Sequence, residues 1–270
     1  MRHLIHLSLP LLALALAPLT QAHASDRHFT FTHETDVLSK GDFELEPSTT
    51  FRVGRPGGYF RVDERIEFEV GLGHRLQTSL YLNATTKRAG DGQGGFTSES
   101  AFEGVSWELK GKLSDPVADA IGAGLYLEIT AGPEEVEFEG KVLLDKSIGN
   151  FVGALNLVSE TELAFRDEGL HPEAKVEVDL GLAGRIGKYV TLGVEVRQHN
   201  LIEAEDGETQ MKLLHSALFA GPTVAWRSDR WWGALTVMPQ VARLGGEGTG
   251  LLDLEEYENL STRLLFGVHL

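Results

Sequence analysis

The sequence predicts an all-β protein, and three observations carry that prediction. Apolar and polar residues alternate with the period of two of extended chains, as in residues 135–144, where Val136, Phe138 and Val142 share one face. Many of these segments reach about ten residues, whereas strands of soluble proteins average five or six. A tilted strand needs about nine to eleven residues to cross a bilayer. The connections between the segments supply the third observation.

The predicted connections differ in length according to their position along the chain. The longest, around Gly92, Asp206 and Gly248, all follow odd-numbered strands. In an antiparallel barrel, connections of one parity share one end, and outer-membrane barrels have short periplasmic turns and longer extracellular loops. The sequence therefore predicts a single antiparallel transmembrane β-barrel of about twelve strands. The predicted tight turns follow even-numbered strands, around Gly73, Ser114, Ser147, Gly187 and Ser228.

The strands are predicted one after another from Phe43 to the carboxyl terminus. The tenth has the least regular alternation, because Phe219 and Pro222 blur its two faces. The last strand must pair with the first for the barrel to close. Closure leaves no sheet edge, whose unpaired backbone N–H and C=O groups could find no hydrogen-bond partner in lipid. The predicted strands are residues 43–53, 60–72, 76–84, 105–110, 121–129, 135–144, 151–163, 173–186, 190–197, 214–226, 231–244 and 260–270.

The amino terminus has the pattern of a secretory signal. Arg2 precedes an apolar run over residues 4–19, and Ala22-His23-Ala24 is a small-x-small cleavage site. We expect a signal peptide over residues 1–24, a periplasmic amino-terminal segment over residues 25–40 and the barrel over residues 41–270. An uncleaved membrane anchor is the alternative for residues 1–24.

Composition restricts the partners of the chain. The formal net charge is −16, which argues against nucleic acid, because phosphate binding requires clustered lysine and arginine. There is no cysteine, so neither disulfides nor thiolate metal ligands are available. The expected partners are outer-membrane lipid, the outer-membrane assembly machinery and a small solute that the sequence does not identify. The expected location is the outer membrane of a Gram-negative bacterium.

Residues 33–44, His-Glu-Thr-Asp-Val-Leu-Ser-Lys-Gly-Asp-Phe-Glu, resemble the opening of a family of bacterial outer-membrane barrels. Members of that family carry the label of transporter-like proteins of phenol-degradation pathways. Ser39 stands where the family pattern has proline. The resemblance implies an outer-membrane barrel over the mature chain and implies no particular substrate.

The polar faces of the predicted strands would line the lumen, and they are rich in acidic residues. One interpretation is a hydrated, acid-lined passage that favours cations or amines. The alternative is a lumen closed by cross-strand ion pairs and hydrogen bonds. The candidate lining residues are Glu67, Glu69, Glu108, Lys110, Glu128, Glu135, Glu137, Glu139, Lys141, Glu160, Glu162, Lys175, Glu177, Asp179, Arg185, Glu195 and Arg197.

No catalytic, metal or cofactor site is predicted. His215 and Ser216 are adjacent, so in a regular strand they point to opposite faces and cannot share a proton. The histidines show no metal-ligand spacing. We therefore expect a passive pore or transporter for small solutes and no enzyme. The alternatives are a structural or surface-binding barrel that contacts a partner through its long loops, and a soluble periplasmic β-sandwich or lipocalin-like carrier.

Overall fold

A computed structural model describes residues 27–92, 94–166, 169–204, 211–246 and 248–270. These residues form an all-β fold of twelve strands, which confirms the predicted fold class. Within these ranges, no helix has the length and apolar character needed to cross a membrane. The predicted signal peptide, residues 1–24, lies outside the described residues.

The strands are between 10 and 19 residues long, so even the shortest meets the length that a tilted strand needs to cross a bilayer. Several are longer than the sequence predicts, because they extend beyond the apolar stretch. Their bounds are β1 Phe43–Val53, β2 Phe60–Gly73, β3 Leu76–Gly90, β4 Phe96–Ser114, β5 Gly122–Ala131, β6 Glu135–Ile148, β7 Phe151–Arg166, β8 Gly169–Ile186, β9 Val190–Ala204, β10 Met211–Arg227, β11 Trp231–Gly246 and β12 Leu260–His269.

The sheet closes on itself through its first and last strands. Each strand pairs antiparallel with its neighbour in the chain, and β1 pairs with β12 from Glu44 opposite His269 to Val53 opposite Leu260. The predicted pairing of the last strand with the first is therefore confirmed. Closure leaves no free edge, so the backbone N–H and C=O groups of the wall form hydrogen bonds with one another and need no water.

The alternation of each strand separates an apolar outer face from a polar inner face. In β3, Leu80 and Leu82 are 56% and 54% exposed, whereas the alternate residues Ser79 and Tyr81 are buried. Similar rows of exposed apolar side chains occur on the other strands. A continuous apolar belt around a closed sheet requires an apolar medium, and lipid tails supply it.

The two ends of the barrel differ in their connections. The tight-turn end carries residues 74–75, 115–121, 149–150, 187–189 and 228–230, and the long-loop end carries the connections at 54–59, 91–95, 132–134 and 248–259. His74 and Arg75 have φ values of 52° and 65°, the positive values that a two-residue type I′ hairpin turn requires. Phe151 and Tyr189 lie on the outer surface beside this end, where an interfacial aromatic girdle belongs.

Two of the predicted long loops are shorter in the structure. The long connection expected around Gly92 is wrong in extent, because β3 and β4 continue to pair, past a bulge at Asn83 and Ala84, up to Gly90 opposite Phe96. Much of the connection expected around Asp206 is also paired, through β9 and β10 up to Ala204 opposite Met211, and Asp206 itself lies outside the described residues. The polar side chains in these two regions belong to ends of β3, β4, β9 and β10 that project beyond the lipid, where the backbone pairing continues.

Residues 27–40, which we call the inner segment, run inside the barrel as far as Leu38, and Ser39 and Lys40 are exposed. The sequence suggested a periplasmic amino-terminal segment at residues 25–40; in the structure Phe29, Thr30, Thr32 and Thr35 are fully buried. Their contacts are with inward-facing side chains of the wall at the tight-turn end. The physical reason is that a barrel of this size has internal volume that must be filled, and this segment fills part of it.

The lipid-facing belt predicts a depth-dependent response to charge. We expect Leu80→Arg to lower the free energy of unfolding from lipid vesicles by about 2–4 kcal/mol, because it buries a guanidinium in hydrocarbon. The control Val117→Arg, at an exposed position in the 115–121 turn, should cost about 1 kcal/mol or less. Reversible urea unfolding followed by tryptophan fluorescence measures both. Equal losses would contradict the assignment of the outer face.

Candidate functional site

The structure places the seventeen charged residues singled out above on the inner face of the barrel. Glu67, Glu69, Glu108, Glu128, Asp179 and Glu195 are buried. The others are partly buried, namely Lys110, Glu135, Glu137, Glu139, Lys141, Glu160, Glu162, Lys175, Glu177, Arg185 and Arg197. They fall into two groups, because the contents of the lumen differ between its two ends.

Toward the long-loop end the lumen contains a cavity of about 350 Å³, which we call the vestibule. Its charges are arranged by sign around the wall. The vestibule has a basic side on β1, β2, β9 and β12 and an acidic side centred on β6, which lies across the closed sheet from β12. The basic side consists of Arg52, Arg61, Arg65, Arg197 and Arg263. The acidic side includes Glu128, Glu137, Glu139 and Glu160, with Lys141 and Lys175 among them.

Ion pairs between neighbouring strands hold several of these side chains in place. Arg197 of β9 donates to Asp179 and Glu177 of β8 at 3.0 and 2.6 Å. Lys175 lies 2.7 Å from Glu160, which belongs to the next strand. Pairing offsets part of the cost of removing these charges from water and fixes the side chains that line the vestibule.

Arg65 crosses the lumen. It belongs to β2, and its Nη2 donates to Glu128 of β5, which is not a neighbouring strand. Its guanidinium lies 4.2 Å from the centre of the Tyr81 ring. The Tyr126 hydroxyl donates to the same Glu128 carboxylate. These contacts narrow the passage between the basic and acidic sides.

Arg263 differs from the other arginines of the vestibule. Its Nε donates to the Thr50 hydroxyl at 2.8 Å, and in the described part of the chain no carboxylate lies within ion-pair distance of it. The guanidinium instead lies 4.5 Å from the Phe31 ring. This positive charge is therefore presented to the lumen without an acidic partner.

The connection at residues 248–259 folds into the barrel. Asp253 is fully buried and lies 2.9 Å from His215 Nδ1, and Gln240 donates to the carbonyl oxygens of Asp253 and Glu258. Tyr257 packs edge-on against Phe219 inside the wall. Burial raises the pKa of the Glu256 carboxyl in this connection. The connection thus narrows the vestibule at the long-loop end.

The inner segment is held chiefly by one carboxylate. Glu195 of β9 accepts hydrogen bonds from the backbone N–H groups of Thr30, Phe31 and Thr32 at 2.8–2.9 Å. The Thr30 and Thr32 hydroxyls donate to the same carboxylate, as does Thr236 of β11. Hydrogen bonds to a charged acceptor are about twice as strong as neutral ones. Glu195 is therefore the central anchor of this irregular segment.

Further polar side chains of the wall bind the segment along its length. Asn156 of β7 both accepts from the His33 N–H at 2.6 Å and donates to the His33 carbonyl at 2.8 Å. Such side-chain partners are needed because a buried backbone without secondary structure cannot satisfy its own polar groups. The remaining anchors are Asp145 of β6 for Thr35, and Gln77 of β3 for Leu38.

Two phenylalanines of the segment pack against the wall. Phe29 contacts Val152, Ala154 and Ala183, and a Cβ on Gly181 would lie 2.7 Å from its ring. Small residues at these inward positions thus make room for the ring.

Phe31 lies between two guanidinium groups of the wall. The Arg197 and Arg263 groups are 4.3 and 4.5 Å from its ring centre, within the range of cation–π attraction. The inner segment therefore forms the floor of the vestibule. The space between the segment and β1–β4 is a cavity of about 20 Å³. In this conformation the arrangement is a charged cavity closed toward the tight-turn end.

Three of the candidate lining residues contact the inner segment, namely Glu195, Arg197 and Arg185. Further partners of the segment, Asn156, Asp145, Gln77 and Arg263, were not among the residues predicted from the sequence. A usable signal was present nevertheless, because Leu143, Ala154, Ala183 and Ala217 interrupt the polar faces of their strands. Inward apolar and small residues at one end of a barrel indicate that something apolar packs there.

The histidine and serine of β10 do not form a catalytic pair in this structure. The Ser216 hydroxyl donates to Asn200 Oδ1 at 2.8 Å, and His215 Nδ1 lies against Asp253. Each group is thus engaged with a different partner.

A closed twelve-stranded antiparallel barrel with a lipid-facing belt and a charged interior is the fold of outer-membrane β-barrels. Two solved structures share it. The COG4313 outer membrane channel from Pseudomonas putida F1 has a TM-score of 0.62 and 12% identity, covering 90% of this chain and 100% of that chain. The NanC porin has a TM-score of 0.52 and 11% identity, covering 84% and 100%. At these identities the likeness shows the fold alone.

The chain belongs to the family of unknown function DUF6662, whose model matches residues 21–270. No curated protein matches the sequence. The barrel fold implied by residues 33–44 is confirmed, whereas the phenol-degradation label attached to that resemblance gains no support from the family or from the similar structures.

The role of Glu195 predicts a local loosening when its carboxylate is removed. We expect Glu195→Ala to lower the hydrogen-exchange protection of residues 30–32 at least about tenfold, because three amides lose a charged acceptor. Exchange mass spectrometry of the refolded protein in micelles measures this. Glu160→Ala is the matched control, since Glu160 pairs with Lys175 and does not contact the inner segment. Unchanged protection in Glu195→Ala would show that other contacts hold the segment.

Proposed function

We propose that this protein is an outer-membrane channel for small charged solutes, and that the inner segment restricts passage through it. One observation carries the proposal. The inner segment forms the floor of the vestibule, and hydrogen bonds and ring contacts attach it to the wall. The segment is not a strand of the wall, which closes through its own twelve strands. Contacts of this kind can be released without breaking the barrel.

The vestibule suggests the chemistry of the solute. Arginines face glutamates across it, and Arg263 has no acidic partner in the described part of the chain. A solute that carries both signs of charge could contact both sides of the vestibule at once. The volume of about 350 Å³ restricts such a solute to a small molecule.

Below the vestibule the wall becomes acidic, and the acid-lined passage suggested by the sequence belongs to this part of the proposal. Glu46, Glu67, Glu69 and Glu108 face the small cavity there, together with Lys110. An excess of carboxylates would favour positively charged groups during passage. The names of the two similar structures, a channel and a porin, agree with conduction.

Planar-bilayer recording of the refolded protein tests the proposal. We expect a variant lacking residues 27–38 to show a higher single-channel conductance than the full chain, because its lumen is no longer filled at the tight-turn end. Reversal potentials in a salt gradient should show cation preference in this variant.

The control for this recording is a variant with the 91–95 connection shortened, since its described residues, Asp91, Gly92, Gly94 and Gly95, do not line the vestibule. It should conduct like the full chain. If neither the full chain nor the deletion variant conducts, channel function is wrong. If both conduct equally, the protein is a channel that the inner segment does not restrict.

A structural barrel without conductance is the second candidate. It is favoured by the filling of the lumen from both ends, by the inner segment and by the connection at 248–259. Recording of the full chain distinguishes the two candidates, because a scaffold whose lumen stays filled does not conduct while residues 27–38 are in place.

A further inference from the structure

The paired strands β1 and β2 set four glutamates directly against one another on the inner face. Glu44 lies opposite Glu69, and Glu46 lies opposite Glu67. All four are at least nine-tenths buried, with exposures of 0%, 4%, 5% and 7% for Glu44, Glu46, Glu67 and Glu69. Like charges that face each other across two strands destabilise the pairing, and burial increases the cost. Either a positive group or a bound proton must offset this arrangement.

The protein supplies partners for only two of the four. Glu44 accepts a hydrogen bond from Trp232 Nε1 at 2.9 Å and lies 2.6 Å from His269 Nδ1. Glu46 lies 3.3 Å from Arg27 of the inner segment.

Glu67 and Glu69 have no basic partner among the described residues, and their carboxyl groups are in hydrogen-bond contact with each other. No basic side chain of the described chain lies within ion-pair distance of either carboxylate, and Glu67 Oε1, which is shielded from solvent, has no hydrogen-bond partner at all. A native structure rarely leaves a buried carboxylate oxygen in this condition without an unseen partner such as an ion.

The geometry of the cluster fits a small hard cation. One carboxylate oxygen from each of Glu46, Glu67 and Glu69 lies within 4.8 Å of the other two. Oxygens that bind one Ca²⁺ at 2.3–2.6 Å are separated by up to about 5 Å. These residues also line the cavity of about 20 Å³, which is close to the space that one water molecule or ion needs.

The other charged groups around this cavity leave the negative charge in excess. Asp36 of the inner segment and Glu108 of β4 add acidic groups, whereas Arg27 and Lys110 are the basic ones. Asp36 pairs with Lys112 at 2.7 Å. Four carboxyl groups, those of Glu46, Glu67, Glu69 and Glu108, therefore remain beside two permanent cations, with His33 near them. A divalent cation would reduce this imbalance, whereas an anion or a neutral ligand would not.

We propose that Glu46, Glu67 and Glu69 bind a divalent cation, and that Ca²⁺ fits better than Mg²⁺. Ca²⁺ accepts several carboxylates in flexible geometry, whereas Mg²⁺ requires near-ideal octahedral coordination and retains water. The ion would lie between β1, β2 and the inner segment and would remove the repulsion between the two strands. This site was not visible from sequence spacing, because its ligands come from two strands and meet only through their register.

Calcium binding by the full chain tests the site without any measurement of conductance. The protein is refolded in micelles, stripped with chelator and titrated with CaCl₂ and, separately, MgCl₂ in a calorimeter. We expect one Ca²⁺ per chain, weaker uptake of Mg²⁺, and a loss of Ca²⁺ affinity of about tenfold or more in Glu67→Gln, because one charged ligand is removed. Glu69→Gln is a second variant with the same expectation.

Glu137→Gln is the matched control. Glu137 belongs to the second group of neighbouring carboxylates, with Glu160 and Glu162, which is less buried and has Lys175 beside it. This variant should bind Ca²⁺ like the unchanged protein. Heat-modifiable electrophoretic migration verifies that each variant has folded.

A second measurement separates an ion from a bound proton. Infrared spectra of the stripped protein should show a protonated carboxyl band that Ca²⁺ removes and that Glu67→Gln lacks. The absence of Ca²⁺ uptake by the unchanged protein, equal uptake by Glu67→Gln, or a carboxyl band that persists in saturating Ca²⁺ would each overturn the proposal.

Discussion

Backbone closure is the constraint on which the rest of this structure depends. In hydrocarbon, each unpaired N–H or C=O group costs several kcal/mol, so a sheet can cross a membrane only when its edges meet. Here β1 and β12 supply that contact. Closure then assigns the two faces of every strand. One face meets lipid, and all the charged side chains of the other face must share one enclosed space.

That enclosed space explains why an irregular segment can be buried inside the barrel. A chain without secondary structure keeps its backbone donors and acceptors free, so it can enter a protein interior only where the surroundings satisfy them. The wall does so with side chains that a strand points inward. Glu195 serves three consecutive amides, and Asn156 serves both backbone groups of His33. The polar inner face is thus a binding surface for residues 27–40 as well as a lining.

The sequence predicts the wall well because the wall follows local rules. Alternation with period two separates Leu80 from Ser79, and the same rule describes most of the wall, with bulges and the less regular β10 as exceptions. It fails at residues 86–100, because side-chain polarity reports the surrounding medium, whereas pairing depends on backbone register. The inner segment escapes prediction for another reason. Its anchors Gln77, Asp145 and Glu195 are 39, 110 and 165 positions away from their partners, and no local pattern in residues 27–40 records such contacts. Only the small and apolar residues on the inner faces, such as Ala154 and Ala183, indicate that the lumen is occupied.

Register also limits how the wall can neutralise its own charge. A shift of one residue between β1 and β2 would turn Glu46 and its neighbours toward lipid, so the apolar belt fixes the pairing that sets Glu46 opposite Glu67. Neither strand can relieve that repulsion by sliding, and neighbouring strands offer Glu67 no cation within reach. The compensating charge has to come from the contents of the lumen, as Arg27 does for Glu46. The groups inside the lumen therefore balance the charge of the wall. Any rearrangement that removed the inner segment, and Arg27 with it, would also change the stability of the pairing between β1 and β2.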